Sequence, residues 1–388
     1  MNKWLFFLFM YICPLATQEA MAEEHGDTLQ QKEIDANSPV IADSVTDSNI
    51  VEKPKRDFFH KVGDVFTKFF KEFNNVDTNY IEPQRYNYTV MLQNTNTYEQ
   101  YRLSGKNGES VTFAPDITYR LGPYVGWRWV FLGYTIDLKN IGGSNSSKKE
   151  FDLSLYSSLL GVDFFWRKTG NDYKIRKVKL GEGIDTSPMD GLSFSGIEST
   201  IRGVNLYYIF NHRKFSYPAA YSQSTVQRRS AGSPLAGIGY TRHSLKVDWD
   251  QLGALTEERL GPEAATALRE NLNFEKVEYI DISVSGGYSY NWVFAKNWLM
   301  NASLSGALGY KRSKSEAHDD DYPLKDFNLK NFNLDAIGRF AVVWNNTKWY
   351  AGLSAIMHSY NYSKPQFSTN NFFGNINLYF GVNIGRKR

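Results

Sequence analysis

FNLDAIGRFAVVW, residues 332–344, alternates apolar and polar side chains through most of its length. Phe332 and Leu334 occupy one set of positions, whereas Asp335 and Arg339 occupy the other. Because successive side chains of a β-strand point to opposite faces, this period of two predicts a strand with one apolar face and one polar face. The run is longer than the usual strand of a globular protein and suits a tilted strand that crosses a bilayer.

Four further segments of the C-terminal third show the same alternation. In the last of them, Ile376 and Leu378 alternate with Asn375 and Asn377. The four segments lie at residues 280–290, 298–310, 349–357 and 375–384. Aromatic residues stand at the segment ends, as the interfacial girdles of a membrane barrel require. These residues are Trp298, Tyr310, Phe332, Trp344 and Trp349.

The connections between these segments alternate in length. Residues 293–297 and 345–348 form short turns, whereas residues 250–278 and 312–330 form long polar loops. Short turns at one end and long loops at the other are typical of an outer-membrane barrel, whose closure leaves no unpaired edge in lipid. The strands of a soluble, secreted β-sandwich that binds a ligand also alternate apolar and polar side chains, so this fold remains the alternative architecture.

Earlier runs of the chain extend the pattern. Candidate strands lie at residues 84–94, 110–121, 124–138, 150–166, 172–181, 197–211 and 233–249. With the five above, the fold class is all-β: a transmembrane antiparallel up-and-down β-barrel of about 12 strands, with an N-terminal amphipathic helix. An even count places both chain ends on the periplasmic side. Residues 172–181 alternate poorly, so ten or fourteen strands stay open.

Composition excludes two other classes of protein. The 388 residues include 26 Phe, 25 Tyr, 9 Trp and 30 Gly, a content that suits strands and turns and rules out a wholly disordered chain. A bundle of membrane-spanning helices would need several apolar runs of about 20 residues, which the sequence lacks.

The N-terminal region has three predicted parts before a barrel domain at residues 76–388. Lys3, an apolar run and Ala20-Met21-Ala22 predict a signal peptide over residues 1–22. A lipoprotein signal at Cys13 fits poorly because Ile12 precedes it and Pro14 follows. Cleavage after Ala22 would leave no cysteine for a disulfide or a thiol nucleophile. The other two parts are an acidic, disordered linker at 23–56 and an amphipathic periplasmic helix at 57–75.

Charge is distributed unevenly between these regions. Residues 23–52 hold eight acidic residues against one lysine, so the body that follows, residues 53–388, is basic although the whole chain carries only +3. A secreted chain rarely meets nucleic acid, and the basic residues do not form one stripe, so no nucleic-acid partner is expected. An anionic lipid surface is the expected counterpart.

The predicted helix carries Phe58, Phe59, Val62 and Phe66 at helical spacing. Two interpretations stay open. The helix packs on its own domain, or it lies on the inner leaflet of the membrane with its lysines at anionic headgroups.

Three stretches of the sequence resemble a known family. They are VDTNYIEPQRYNYTVMLQ (76–93), GPYVGWRWVFLGYTIDL (122–138) and FNHRKFSYPAAYSQSTVQRRSAGSPLAG (210–237). Together they resemble the secreted family known as domain of unknown function 4421, over roughly residues 57–388. The resemblance implies an outer-membrane barrel of Gram-negative bacteria. It implies nothing about catalytic or ligand residues.

Polar residues of the candidate strands predict a hydrated lumen of mixed charge. Residues 212–232 are long for a periplasmic turn, and they either fold into the lumen as a partial plug or form a simple long turn. The candidate lumen-lining residues are Arg242, Lys246, Asp281, Asp335, Arg339, Ser354 and His358.

Enzymatic and metal-dependent activities find little support. An outer-membrane lipid hydrolase would need a Ser–His contact with an orienting Asn or Asp. The pairs His358–Ser359 and His243–Ser244 cannot form this contact, because adjacent strand residues face opposite ways. A lumen-facing His358 beside Ser354 would suit hydrogen bonding. The run 318–321, His-Asp-Asp-Asp, is solvated loop charge rather than a divalent-cation site.

The sequence therefore predicts a non-enzymatic barrel of the bacterial outer membrane without cofactors, catalytic residues or bound metal. Such a barrel serves either as a porin-like pore for small polar solutes or as an envelope anchor. The lipid hydrolase and the soluble β-sandwich are the alternatives. Expected partners are outer-membrane lipid, lipopolysaccharide and the barrel-assembly machinery. The oligomeric state is open.

Overall fold

The computed structural model describes residues 75–127, 130–133, 136–138, 149–170, 172–181, 183–272, 276–313, 331–363 and 367–387. The predicted signal peptide, the acidic linker, residues 57–74 of the predicted helix and residues 318–321 lie outside the described part of the chain. Among the residues described, no helix is both long enough and apolar enough to cross a membrane.

The described residues form 17 strands and three short α-helices. The helices are α1 (Pro218–Tyr221), α2 (Trp249–Leu260) and α3 (Pro262–Leu272). The strands are β1 (Ile81–Pro83), β2 (Tyr86–Gly105), β3 (Ser110–Pro115), β4 (Thr118–Trp127), β5 (Val130–Gly133), β6 (Ile136–Asp137), β7 (Lys149–Tyr156), β8 (Leu160–Lys168), β9 (Tyr173–Lys179), β10 (Ile197–Ile209), β11 (Thr225–Gln227), β12 (Ala231–Val247), β13 (Val277–Ala295), β14 (Trp298–Ser313), β15 (Phe332–Asn345), β16 (Trp349–Ser363) and β17 (Phe367–Arg386).

Antiparallel pairing joins most of these strands into one curled sheet with the β-barrel fold. Its order is β5-β4-β2-β17-β16-β15-β14-β13-β12-β10-β8-β7. The short strand β6 pairs with β4 on the same side as β5. The first long strand, β2, pairs with the last, β17, over nearly the full length of both. Arg339 of β15 touches Asp163 of β8, five places away in this order, because the sheet curves around a common interior.

The predicted total of twelve barrel strands agrees with this order, but five of the predicted strands were wrong in detail. Residues 84–94 cover only about half of β2, which continues to Gly105. Residues 124–138 and 150–166 each contain a hairpin rather than one strand. Residues 110–121 cover β3 and the start of β4. Residues 172–181 contain β9, which pairs with β3 outside the main order.

The two ends of the barrel differ in their connections. At the short-turn end, residues 296–297 and 346–348 link neighbouring strands, and the described chain enters and leaves there at Tyr86 and Arg386. At the opposite end, the loop end, residues 248–276 include α2 and α3. Strand length also varies around the wall: β2 and β17 have 20 residues each, whereas β8 has 9.

The outward face of the sheet is apolar. Leu334 is 70% exposed and Leu304 is 67% exposed. In a soluble β-sandwich the apolar row of a strand would be buried against the second sheet. Aromatic rings gather at the short-turn end, where Phe294 lies 5.5 Å from Trp292 and 5.9 Å from Trp298, measured between ring centroids. The predicted outward faces of the five C-terminal strands agree with this arrangement.

A separate hydrophobic core closes the loop end. We call this region the cap: β3, β9, a 3-10 turn at Ser187–Met189, α2, α3 and the adjoining strand ends. Asp248 begins α2 by accepting a hydrogen bond from the Gln251 backbone N–H at 2.9 Å. The fully buried side chains of the cap include Leu103, Phe113, Tyr173, Ile175, Leu245 and Leu252.

Candidate functional site

The lumen holds five of the seven predicted lumen residues. Asp281, Asp335, Arg339, Ser354 and His358 are all buried on inward-facing strand positions. Their strands alternate regularly around these positions, so the period of two in the sequence assigns their faces correctly.

Arg242 and Lys246 point the other way, and their prediction as lumen residues was wrong. They share the outward face of β12 with Ile238 and Tyr240, which are 61% and 44% exposed. The apolar series of β12 ends at Tyr240, so the basic residues beyond it looked like the polar face of a strand. Their position marks the loop-end limit of the apolar surface.

Buried ion pairs lie in the lumen, and the pair between Arg339 and Asp163 crosses it. Arg339 donates to the Asp163 carboxylate from the opposite wall and lies over the Tyr207 ring at 4.9 Å. Lys311 donates to Asp335 Oδ1 at 2.7 Å. Because a buried unpaired charge is strongly disfavoured, the Arg339–Asp163 pair holds the facing walls in one arrangement, whereas the Lys311–Asp335 pair joins the neighbouring strands β14 and β15.

His358 belongs to an aromatic cluster rather than to a hydrogen-bonded pair. Its ring stacks on Phe373 at 5.1 Å and lies 5.7 Å from Phe165, centroid to centroid. The suggested hydrogen bond between His358 and Ser354 does not form, because residues four apart on a strand are separated by about 13 Å. The cluster fills lumen space that water would occupy in an open pore.

A Ser–His contact that the sequence analysis missed lies under the cap. Ser199 Oγ is 3.0 Å from His243 Nε2, and Asn371 Nδ2 is 3.4 Å from His243 Nδ1. The residue types match a nucleophile, a base and an orienting amide, although the amide nitrogen faces the ring. Ser199 is only 2% exposed, so a substrate does not reach it in this conformation. Ser199 lies diagonally across from His243 on the neighbouring strand, a relation that sequence spacing does not reveal.

Residues 211–230, between β10 and β12, fold into the lumen at the short-turn end, and we call them the plug. Phe215, Tyr217, Ala219 and Ala220 of the plug are buried against the inner wall. The plug interpretation of residues 212–232 is therefore correct, and the interpretation as a simple turn is wrong.

Hydrogen bonds join the plug to several barrel strands. Tyr217 and Ser303 share a hydrogen bond of 2.6 Å, and Tyr221 donates to Asn301 at 2.6 Å. Gln223 donates to the Tyr379 hydroxyl at 3.0 Å. These three plug side chains each meet a polar partner on the wall, in keeping with the Asn and Ser residues at inward positions of this end.

A short ribbon ties the plug to the point where the chain enters the barrel. β1 pairs with β11 of the plug through Ile81 and Gln227, Glu82 and Val226, and Pro83 and Thr225. We call β1 and β11 the entry ribbon. Arg228 also pairs with Glu82, and a groove of about 590 Å³ opens beside them.

The lumen arrangement is therefore that of a filled barrel. The plug occupies the short-turn end, ion pairs and aromatic rings occupy the middle, and the cap covers the loop end. Within the described part of the chain, no group of three or more His, Cys, Asp or Glu residues is placed to hold a metal ion.

Comparisons with known proteins give a family and several distant structures. The family described as domain of unknown function DUF4421 matches residues 75–383. No protein with a curated description matches the sequence. Among solved structures, outer membrane protease OmpT from Escherichia coli is similar over 77% of this chain and 97% of its own, with 6% identity and a TM-score of 0.30.

Two other solved structures show a comparable likeness. The translocator domain of autotransporter NalP from Neisseria meningitidis aligns over 83% of this chain and 97% of its own, with 8% identity and a TM-score of 0.26. The P. putida toluene transporter TodX aligns over 78% of this chain and 91% of its own, with 9% identity and a TM-score of 0.19. At these scores the alignments carry no argument about activity.

Proposed function

The chain belongs to the DUF4421 family, and we propose that it acts as a closed anchor in the bacterial outer membrane rather than as an open pore. The observation that carries this proposal is the filled lumen. Arg339 and Asp163 bridge opposite walls, and the plug and the cap lie on either side of this bridge. A porin-like path would require several of these buried contacts to break together.

The apolar outward face supports the proposed membrane location. Hydrocarbon would cover the exposed Leu304 and Leu334, and the aromatic group at Trp292 and Trp298 would lie at the interface. The short-turn end then faces the periplasm and the loop end faces outward. The entry ribbon fixes the chain at residues 81–83, so any segment before residue 75 would be held at the periplasmic face.

Fractionation and conductance together test this proposal. We expect the protein to fractionate with the outer membrane, to need detergent for extraction and to migrate faster on gels before heating than after. In planar bilayers, the purified wild-type protein should give no stepwise conductance, because both ends and the middle of the lumen are filled. Regular channel openings by wild-type protein would overturn the anchor, and extraction without detergent would overturn the membrane location.

A plug variant provides the matched comparison. Tyr217→Phe with Tyr221→Phe removes two hydrogen bonds to the wall and keeps the aromatic volume. Because the cap and the Arg339–Asp163 bridge remain, this variant should also be silent. Conductance by this variant alone would show that the plug is the whole barrier, which contradicts a lumen closed at three levels.

A further inference from the structure

Three neighbouring strands end their outward apolar series at a basic residue. On β8 the series Val162, Phe164, Trp166 is followed by Lys168. On β10 the series Tyr208, Leu206, Val204 is followed by Arg202. On β12 the series Ala236, Ile238, Tyr240 is followed by Arg242. The three basic residues lie toward the loop end, and Lys168 and Arg202 are exposed whereas Arg242 is half-buried.

The strand register brings these cations together. Arg202 lies directly opposite Arg242 on one side and opposite Trp166 on the other. Lys168 lies opposite Thr200, two positions along β10 from Arg202. Like charges at directly opposed positions of a sheet destabilise the pair, so this arrangement favours an anion that both guanidinium groups contact.

Nearby acidic side chains do not neutralise the cluster. Glu278 on β13 pairs with Lys276, and Glu198 lies opposite Lys246. Over the described ranges, no carboxylate lies within ion-pair distance of Lys168, Arg202 or Arg242. The cluster therefore carries an uncompensated charge at the edge of an apolar surface.

We propose that Lys168, Arg202 and Arg242 bind the phosphate groups of a phosphorylated glycolipid in the leaflet that faces the loop end. The apolar series below them would contact the acyl chains, and the basic side chains would contact the phosphates. Arginine suits this role because its planar guanidinium group donates two parallel hydrogen bonds to a phosphate. The inference rests on the proposed membrane location and adds a lipid class to it.

The closing experiment compares the wild-type protein with a double variant that carries both Arg202→Gln and Arg242→Gln. The matched control is Lys177→Gln with Lys179→Gln, which removes the same charge from exposed positions of β9 in the cap. Binding of fluorescent lipid A is measured in neutral detergent micelles. Each basic side chain near a lipid surface contributes about fivefold in affinity, so the double variant should bind about thirtyfold more weakly. The control variant should bind like wild type.

Further arms separate the source of the phosphate and the membrane location. Lipid A without its phosphates should bind as weakly as the double variant, and millimolar inorganic phosphate should not displace lipid A. Equal binding by wild type and the double variant, or full displacement by inorganic phosphate, would overturn the lipid site alone. Wild-type protein that enters neither lipid A vesicles nor phosphatidylcholine vesicles would overturn the membrane location and this inference with it.

Discussion

The two ends of the barrel are closed by different means. The plug is one continuous stretch, residues 211–230, and several of its contacts with the wall are hydrogen bonds between polar side chains. The cap combines segments distant in sequence, and its interior is apolar, with Leu103, Phe113 and Leu252 fully buried. A polar closure exchanges its contacts for contacts with water at little cost, whereas an apolar closure does not. The cap should therefore be the permanent closure and the plug the replaceable one.

The largest effect should come from the core of the cap. Phe113 is fully buried and stacks on Phe194 with 5.1 Å between ring centroids. Phe113→Ala should lower the free energy of unfolding by about 3–5 kcal/mol, since it removes apolar contacts and leaves a cavity. Urea unfolding in lipid vesicles, followed by tryptophan fluorescence, measures the change. A loss near that of an exposed surface substitution would show that the cap is loosely packed.

The ion pair between the two closures should come next. Arg339→Met leaves Asp163 as a buried charge without its main partner. The free energy of unfolding should fall by about 3–5 kcal/mol, and by less if water enters the lumen and solvates the carboxylate. Adding Asp163→Leu should recover much of the loss, because the double replacement leaves no buried charge. The same urea titration applies to both variants. Additive losses would show that the two side chains do not interact across the lumen.

The plug should be less costly to weaken. Gln223 is 3% exposed and bonds to Tyr379 and to Asn345, so Gln223→Ala leaves polar groups unpaired at a cost of about 1–3 kcal/mol. Limited proteolysis should then cut within residues 211–230 before the cap is attacked. Ser222→Ala is a control, since Ser222 bonds within the plug itself. Cleavage in the cap first would reverse the comparison.

The smallest effect should be acid-dependent and confined to the cap. Hydrogen bonds from Lys174 and then from Arg176 lower the pKa of Asp116, which lies between β3 and β4 outside the membrane. A lowered pKa stabilises the fold above the unfolded value of about 4, and this contribution is lost as the pH falls further. Asp116→Asn should remove this part of the acid dependence together with the small stabilisation that the two exposed ion pairs give at neutral pH. Hydrogen exchange of the β3 and β9 amides at several pH values measures it, and an unchanged acid profile would contradict the assignment.

The sequence predicted the C-terminal strands well because apolar and polar residues alternate there through most of each strand. It failed where hairpins carry no turn signal. The turn at Ser157–Leu159 lacks Gly, Pro and Asn, so residues 150–166 read as one strand. A polar loop is predicted from the sequence where the structure has helices α2 and α3. Two helix signals are present in the sequence: Asp248 at the N-terminal capping position of α2, and Pro262 after Gly261 at the start of α3.

The candidate site was predictable only in part. Face assignments follow from the period of two, so Asp281, Asp335 and Arg339 were placed correctly. Contacts across the lumen do not follow, because they join strands distant in the sheet order. Arg339 and Asp163 are 176 residues apart, and only the curvature of the sheet brings them together.

The uneven height of the wall has a consequence for the surrounding lipid. β8 has 9 residues, fewer than the 15 of β16 and the 20 of β17 on the opposite wall. A tilted strand of this length spans about 20 Å, less than the hydrocarbon thickness of a typical bilayer. In the proposed membrane location, the bilayer would thin beside this wall or the whole barrel would tilt. Hydrophobic mismatch of this kind costs fractions of a kcal/mol per Å and would direct the protein toward thinner regions of the membrane.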